Sequence, residues 1–198
     1  MSFKIIILGS GRGSNAKAIL EAEAKGQLGQ VSTVAILSDK ENAPILDLAQ
    51  QFGKHAQCIP CNPKKARLHP DETTAFLEAI QTHKPDLVVL AGFMKIIDSH
   101  FIQSLDGKII NLHPSLLPSF PGINSIESAF NFPVKVTGCT VHWVIPEIDA
   151  GTIIDQKAVT IEANDTLESL SEKVHVAEHH LLPEVIRRLS TGEIPFQN

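Results

Sequence analysis

Asn111 and His113 are the side chains of this sequence best placed to do chemistry. They stand two residues apart in Ile109-Ile110-Asn111-Leu112-His113-Pro114-Ser115-Leu116-Leu117-Pro118. On extended backbone, residues i and i+2 point the same way. An amide donor therefore lies beside a group that can hold or give a proton near neutral pH. The apolar run before them reads as a buried strand over Lys108–Asn111. Pro114 and Pro118 forbid an ordinary helix and stiffen the loop that carries the pair. An amide and an imidazole at the carboxyl end of a strand suit carbonyl chemistry that passes through an oxyanion. The same triplet is also compatible with a plain strand terminus.

Two further segments carry chemical potential. Gly9-Ser10-Gly11-Arg12-Gly13-Ser14-Asn15 follows the first apolar run and opens a helix. Its glycines let backbone approach a ligand, and free amides at a helix start favour an anion such as phosphate. Ser14 or Asn15 can cap that helix. The spacing is G-x-G-x-G rather than G-x-G-x-x-G, and Asp39 lies beyond the expected acidic position, so no nicotinamide cofactor is expected. No Gly-Lys-Ser/Thr occurs, which excludes a Walker loop. The other segment is Glu147-Ile148-Asp149-Ala150-Gly151. Its Asp149 can orient His113, keep it charged or move a proton, and can equally serve the turn itself.

Two histidine-containing patterns point less well. His55-x-x-Cys58-x-x-Cys61 leaves only Cys139 as a further thiol, short of a spaced set of zinc ligands. His175-Val-Ala-Glu178-His179 has the H-x-x-E-H pattern but lacks an evident further ligand. No metal site is expected.

The elements that must position these residues alternate. Strands are expected at Phe3–Leu8, Val31–Leu37, His55–Ile59, Leu87–Leu90 and Lys108–Asn111. Helices are expected at Asn15–Lys25, Pro44–Phe52, Asp71–Thr82 and Asp98–Ser104. This rhythm implies a parallel sheet covered on both faces. Val134–Val144 and Thr152–Ile161, joined by Pro146–Gly151, read as an antiparallel pair. Thr166–Leu189 reads as a long closing helix capped by Asp165 or Thr166. The expected class is α/β, with a Rossmann-like, mostly parallel sheet extended by an antiparallel strand pair and closed by a C-terminal helix. One domain over 1–198 is expected, with a Rossmann-like part carrying the glycine loop to about 113 and a closing part after it.

Composition narrows the classes. The 198 residues are 43% hydrophobic and 20% charged, enough for a sizeable core and against disorder. A net charge of −5 without any basic block argues against nucleic-acid or membrane-surface partners. The first apolar run is too short for a signal or a membrane span, so a cytoplasmic location is expected. Three cysteines fit reduced thiols better than a disulfide framework.

Taken in order, GSGRGSN, LAGFMKII, IINLHPSLLPSFPG, VTGCTVHWV and EIDAGTII resemble the glycinamide ribonucleotide formyltransferase family of purine biosynthesis. The resemblance runs from about Lys4 to Leu189. The NLHPSLLP block is shared by several folate-dependent formyltransferases. The glycine loop and the short chain point to the glycinamide ribonucleotide member. It implies catalytic roles for Asn111, His113 and Asp149, and a phosphate loop at Gly11, Arg12, Gly13, Ser14 and Asn15. It further implies that Glu178 holds ribose hydroxyls. Phe93, Met94, Lys95, Ile96 and Ile97 would line a folate site flanked by Val144, Ile145, Pro146 and Glu147. The cosubstrate implied is 10-formyltetrahydrofolate, with small-molecule partners and a monomer or homodimer.

Three features set the chain apart within that pattern. Lys95 stands where the family often has arginine, so a bidentate folate contact is not expected there. Lys64, Lys65 and Arg67 are candidates for a further basic contact, with Arg67 carried forward. Ser125-Ile126-Glu127 follows one branch of the family. Two other readings share the motifs: formyl transfer to another amine or to water, and a non-catalytic nucleotide- or folate-binding protein.

Overall fold

The computed structural model describes residues 2–196. Seven strands form one sheet in the order β3-β2-β1-β4-β5-β6-β7. They are β1 (Phe3–Leu8), β2 (Val31–Ser38), β3 (His55–Cys58), β4 (Leu87–Leu90), β5 (Ile109–His113), β6 (Val136–Trp143) and β7 (Ile153–Thr160). The first five pair in parallel, and β6 and β7 add antiparallel ladders. The described residues also form six helices: α1 (Ser14–Ala24), α2 (Pro44–Gln51), α3 (Pro70–His83), α4 (Ser99–Gln103), α5 (Ser125–Asn131) and α6 (Leu167–Ser190).

Two apolar layers explain why the central strands are continuous hydrophobic runs. Ile5, Ile7, Val89, Ile110 and Leu112 pack with residues of α1, α2 and α6 on one face. Ile6, Leu8, Val88, Leu90 and Ile109 pack with residues of α3 and α4 on the other. A parallel sheet buried on both faces has no polar side to show. Strand order reverses between β1 and β4, and the crevice beyond the carboxyl ends at such a switch is where open α/β sheets bind ligands.

The expected architecture is present, with three local differences. β5 continues past Asn111 to His113 because β6 extends its ladder, pairing Leu112 with Val141 and His113 with Thr140. His113 is therefore held by a strand rather than a loop. α5 was not expected; it is a seven-residue helix entered through Asn124 with a left-handed backbone and no side-chain cap. Gly13, not Ser14 or Asn15, is the N-cap residue of α1, also left-handed. Its φ of 76° suits glycine, and a Cβ there would lie 2.6 Å from Ile45 Cγ1. At the other end of the chain, Thr166 caps α6 in a capping box with Ser169, while Asp165 accepts from Ser169 Oγ and Lys173.

Candidate active site at the strand ends

Asn111 and His113 leave β5 on the face opposite Leu112, which is committed to the core against α6. Asp149 reaches them from the β6–β7 turn. Its φ of 52° is a left-handed conformation that aspartate tolerates better than most residues. Gly151 anchors that turn: a Cβ there would collide with the Trp143 carbonyl.

The three side chains meet at the Asp149 carboxylate, whose side chain is 9% exposed. His113 Nδ1 lies 3.3 Å from Oδ2, and Asn111 Nδ2 lies 3.5 Å from Oδ1. The Gly122 N–H donates to Oδ2 at 2.8 Å. Burial pushes the Asp149 carboxyl up, but the polar and charged groups that face it, the Gly122 N–H and His113 among them, outweigh it. The group is held below its ordinary value.

His113 is backed as well as faced. Its Nε2 lies 2.9 Å from the Phe120 carbonyl and 3.1 Å from Ser125 Oγ. A carbonyl can only accept, so Nε2 carries a proton. Nδ1 faces a carboxylate, which also accepts. The doubly protonated imidazolium satisfies both edges.

His142 pairs directly across the ladder from Asn111 and is buried at 2% exposure. Its Nδ1 lies 2.9 Å from the Trp143 carbonyl and therefore bears the proton. Its Nε2 is 3.1 Å from Asn111 Nδ2 and 3.6 Å from Asp149 Oδ1. A neutral ring accepts the amide N–H, and a charged ring gives its own N–H to the carboxylate; the shorter contact selects the first. One Asn111 N–H is thereby fixed, and the other points loosely toward Asp149.

The glycine loop sits at the switch between β1 and β4 and is stitched to the segment after β4. Ser10 N–H donates to the Gly92 carbonyl at 3.0 Å, and Met94 N–H donates to Ser10 Oγ at 2.8 Å. α1 has no side-chain cap and no acidic residue in its first turn. Its leading amides therefore face outward with the positive end of the helix dipole. Gly11 has open space where a Cβ would stand. Asn15 does not cap; its Nδ2 donates to Glu178 Oε2 at 3.0 Å across from α6. Glu178 is only 4% exposed, and burial raises its pKa against the opposing pull of the Asn15 amide and the charge of His175.

The candidate folate segment is divided by the fold. Phe93 and Ile97 lie in the α3/α4 core, with Phe93 edge-on to Phe76 at 5.4 Å, whereas Met94 is 63% exposed. Lys95 is buried and donates to the Asn62 and Lys65 carbonyls, both at 2.7 Å, so its ammonium braces the 62–67 loop. Ile96 bridges to Arg67 through backbone, which sets the exposed Arg67 beside this segment. Val144 and Ile145 are half-buried, and Pro146 and Glu147 are exposed at the turn.

A family model described as formyl transferase matches residues 3–186. The chain belongs to the formyl transferase family. The phosphoribosylglycinamide formyltransferase of Bacillus subtilis is 39% identical to this family member over 186 residues, 94% of each chain. The trifunctional purine biosynthetic protein adenosine-3 of Bos taurus is 38% identical over 192 residues, 96% of this chain but 19% of that protein. Among solved structures, glycinamide ribonucleotide transformylase 1 from Symbiobacterium toebii superposes with a TM-score of 0.91 at 34% identity. That match covers 100% of this chain and 92% of the other. Phosphoribosylglycinamide formyltransferase from Anaplasma phagocytophilum gives 0.90 at 36% identity, covering 100% and 91%.

Within this formyl transferase chain, the sequence pattern assigns no role to His142, Ser125, the Phe120 carbonyl or the Gly122 amide. His142 was findable in principle, since its strand alternation matches that of Asn111, but only the ladder register places the two together. The backbone groups carry no residue-type signal. Among the described residues no group of three or more histidine, cysteine, aspartate or glutamate side chains is arranged to hold a metal, and no helix is long and apolar enough to cross a membrane. Cys58, Cys61 and Cys139 are free thiols.

Proposed function

We propose that this chain transfers the formyl group of 10-formyltetrahydrofolate to the amine of glycinamide ribonucleotide. The observation that carries the reading is the meeting of Asn111, His113 and Asp149 at one carboxylate, at the same carboxyl edge of the sheet as the uncapped start of α1. The named relatives supply the substrates. In this reading residues 1–198 act as one formyltransferase domain, cytoplasmic, monomeric or homodimeric, with small-molecule partners and neither nucleic acid nor membrane.

The amine attacks the formyl carbon directly. The new C–N bond forms as the carbonyl electrons move to oxygen, giving a tetrahedral oxyanion that bears an ammonium. The free Asn111 N–H and the His113 Nδ1–H donate to that oxygen; one such donor is worth ~3 kcal/mol. Asp149 keeps His113 charged and relays a proton from the new ammonium to the folate nitrogen, directly or through water. That nitrogen leaves with the proton as the oxyanion collapses. The route needs no covalent nucleophile and no metal. The amides of Gly11 to Asn15 take the phosphate, with Arg12 beside them, and Glu178 takes ribose hydroxyls. Met94 and the turn from Val144 to Glu147 contact the folate, and Arg67 its acidic tail.

The test is turnover of 10-formyltetrahydrofolate, followed by folate absorbance, with and without glycinamide ribonucleotide. Ribonucleotide-dependent turnover supports the proposal. Folate loss without the ribonucleotide identifies hydrolysis instead, and no loss in either case overturns both.

A further inference from the structure

Ser125 opens α5 at 2% exposure, and four contacts close a ring around the His113 imidazole. His113 Nδ1 faces Asp149 Oδ2 at 3.3 Å. That oxygen accepts the Gly122 N–H at 2.8 Å. Gly122 in turn offers its carbonyl to Ser125 Oγ at 2.9 Å. The same Oγ lies 3.1 Å from His113 Nε2. A hydroxyl has one proton. Since the Gly122 carbonyl takes it, Ser125 presents a lone pair to the ring and accepts the Nε2–H.

We propose that Ser125 is a positioning residue that keeps the proton of His113 on Nε2, so that Nδ1 is the nitrogen that exchanges protons at the reacting edge. The assignment rests on the formyl-transfer reading of the same site. Nε2 has two acceptors on its buried side, the Phe120 carbonyl and Ser125. Phe120 holds its carbonyl there on a left-handed backbone with φ of 53°, a costly conformation for a bulky residue. A second acceptor on a helix makes the back edge of the ring independent of that strained turn. It also ties the ring to Gly122, so His113 and Asp149 are placed by one unit. The other titratable group facing this cluster is His142, which lies on the Asp149 side and does not reach Nε2.

Ser125→Ala tests this with two readouts. The first is ¹⁵N NMR of His113 in the full-length protein, comparing Nδ1 and Nε2 shifts at a pH where the ring is neutral. Wild type is expected as the Nε2–H form, and the variant as a mixture with the Nδ1–H form. The second is kinetics: kcat is expected to fall about three- to tenfold, the worth of one hydrogen bond, with both KM values within twofold. Ser125→Thr, which restores the hydroxyl, is expected to recover both signals. An unchanged tautomer ratio in Ser125→Ala overturns the assignment, as does a kcat within error of wild type in an active enzyme. A shifted tautomer in a protein that shows no formyl transfer upholds the contact and sinks the functional reading instead.

Discussion

Replacing Asn111 with alanine separates the chemical role of the amide from its structural one. Two contacts are lost: the 3.1 Å hydrogen bond to His142 Nε2 and the loose 3.5 Å approach to Asp149. The first is a buried neutral hydrogen bond, and losing it costs about 1 kcal/mol of stability. For a chain of this length that lowers Tm by about 2–4 °C. The second N–H is the one free to meet an oxyanion. Removing such a donor raises the barrier by ~3 kcal/mol, which is about 150-fold in kcat. Because the charge on oxygen exists only in the transition state, KM for both substrates is expected to stay within about threefold. Steady-state folate absorbance and a thermal melt on the same preparation measure the two effects. Turnover within threefold of wild type refutes the oxyanion role. A large loss of activity with a Tm drop beyond 10 °C refutes the separation, because the amide is then chiefly structural.

Asp149 has a depressed pKa in the folded chain, so its contribution to stability is present above its ordinary value of 3.8 and is lost as pH falls through the folded value. Urea unfolding from about pH 5 down to about pH 2, which spans the ordinary value and the lower folded one, is expected to show a steeper acid decline in wild type than in Asp149→Asn; parallel curves contradict this. Glu178 behaves oppositely: its raised pKa means that holding it charged costs stability once pH exceeds the folded value. Glu178→Gln is expected to raise Tm at neutral pH while raising KM for the ribonucleotide, and an unchanged KM removes it from the ribose site. Gly151→Ala forces a Cβ into the Trp143 carbonyl and displaces the Asp149 turn. Activity is expected to fall by at least about 100-fold, with near-UV circular dichroism showing the core intact; wild-type turnover disproves the anchoring role of the turn.

Much of this molecule was determined by sequence alone, because its signals are local. Leu87–Leu90 is apolar throughout and becomes a strand buried on both faces with unchanged bounds. The glycine loop lands between β1 and α1 because glycine spacing and helix periodicity are short-range properties. Asn111 and His113 share a side because strand geometry alternates. What only the tertiary structure decided depends on register between distant segments. Asp149 meets His113 over a separation of 36 positions because β6 pairs with β5 and carries the β6–β7 turn back to the same strand end. His142 holds the Asn111 amide only because the two occupy opposed rungs of one ladder. Lys95, a cation beside a candidate ligand segment, is turned inward by two backbone carbonyls that no sequence pattern marks. Side-chain type and short spacing say what chemistry is available; chain closure over long separations says which atoms face one another.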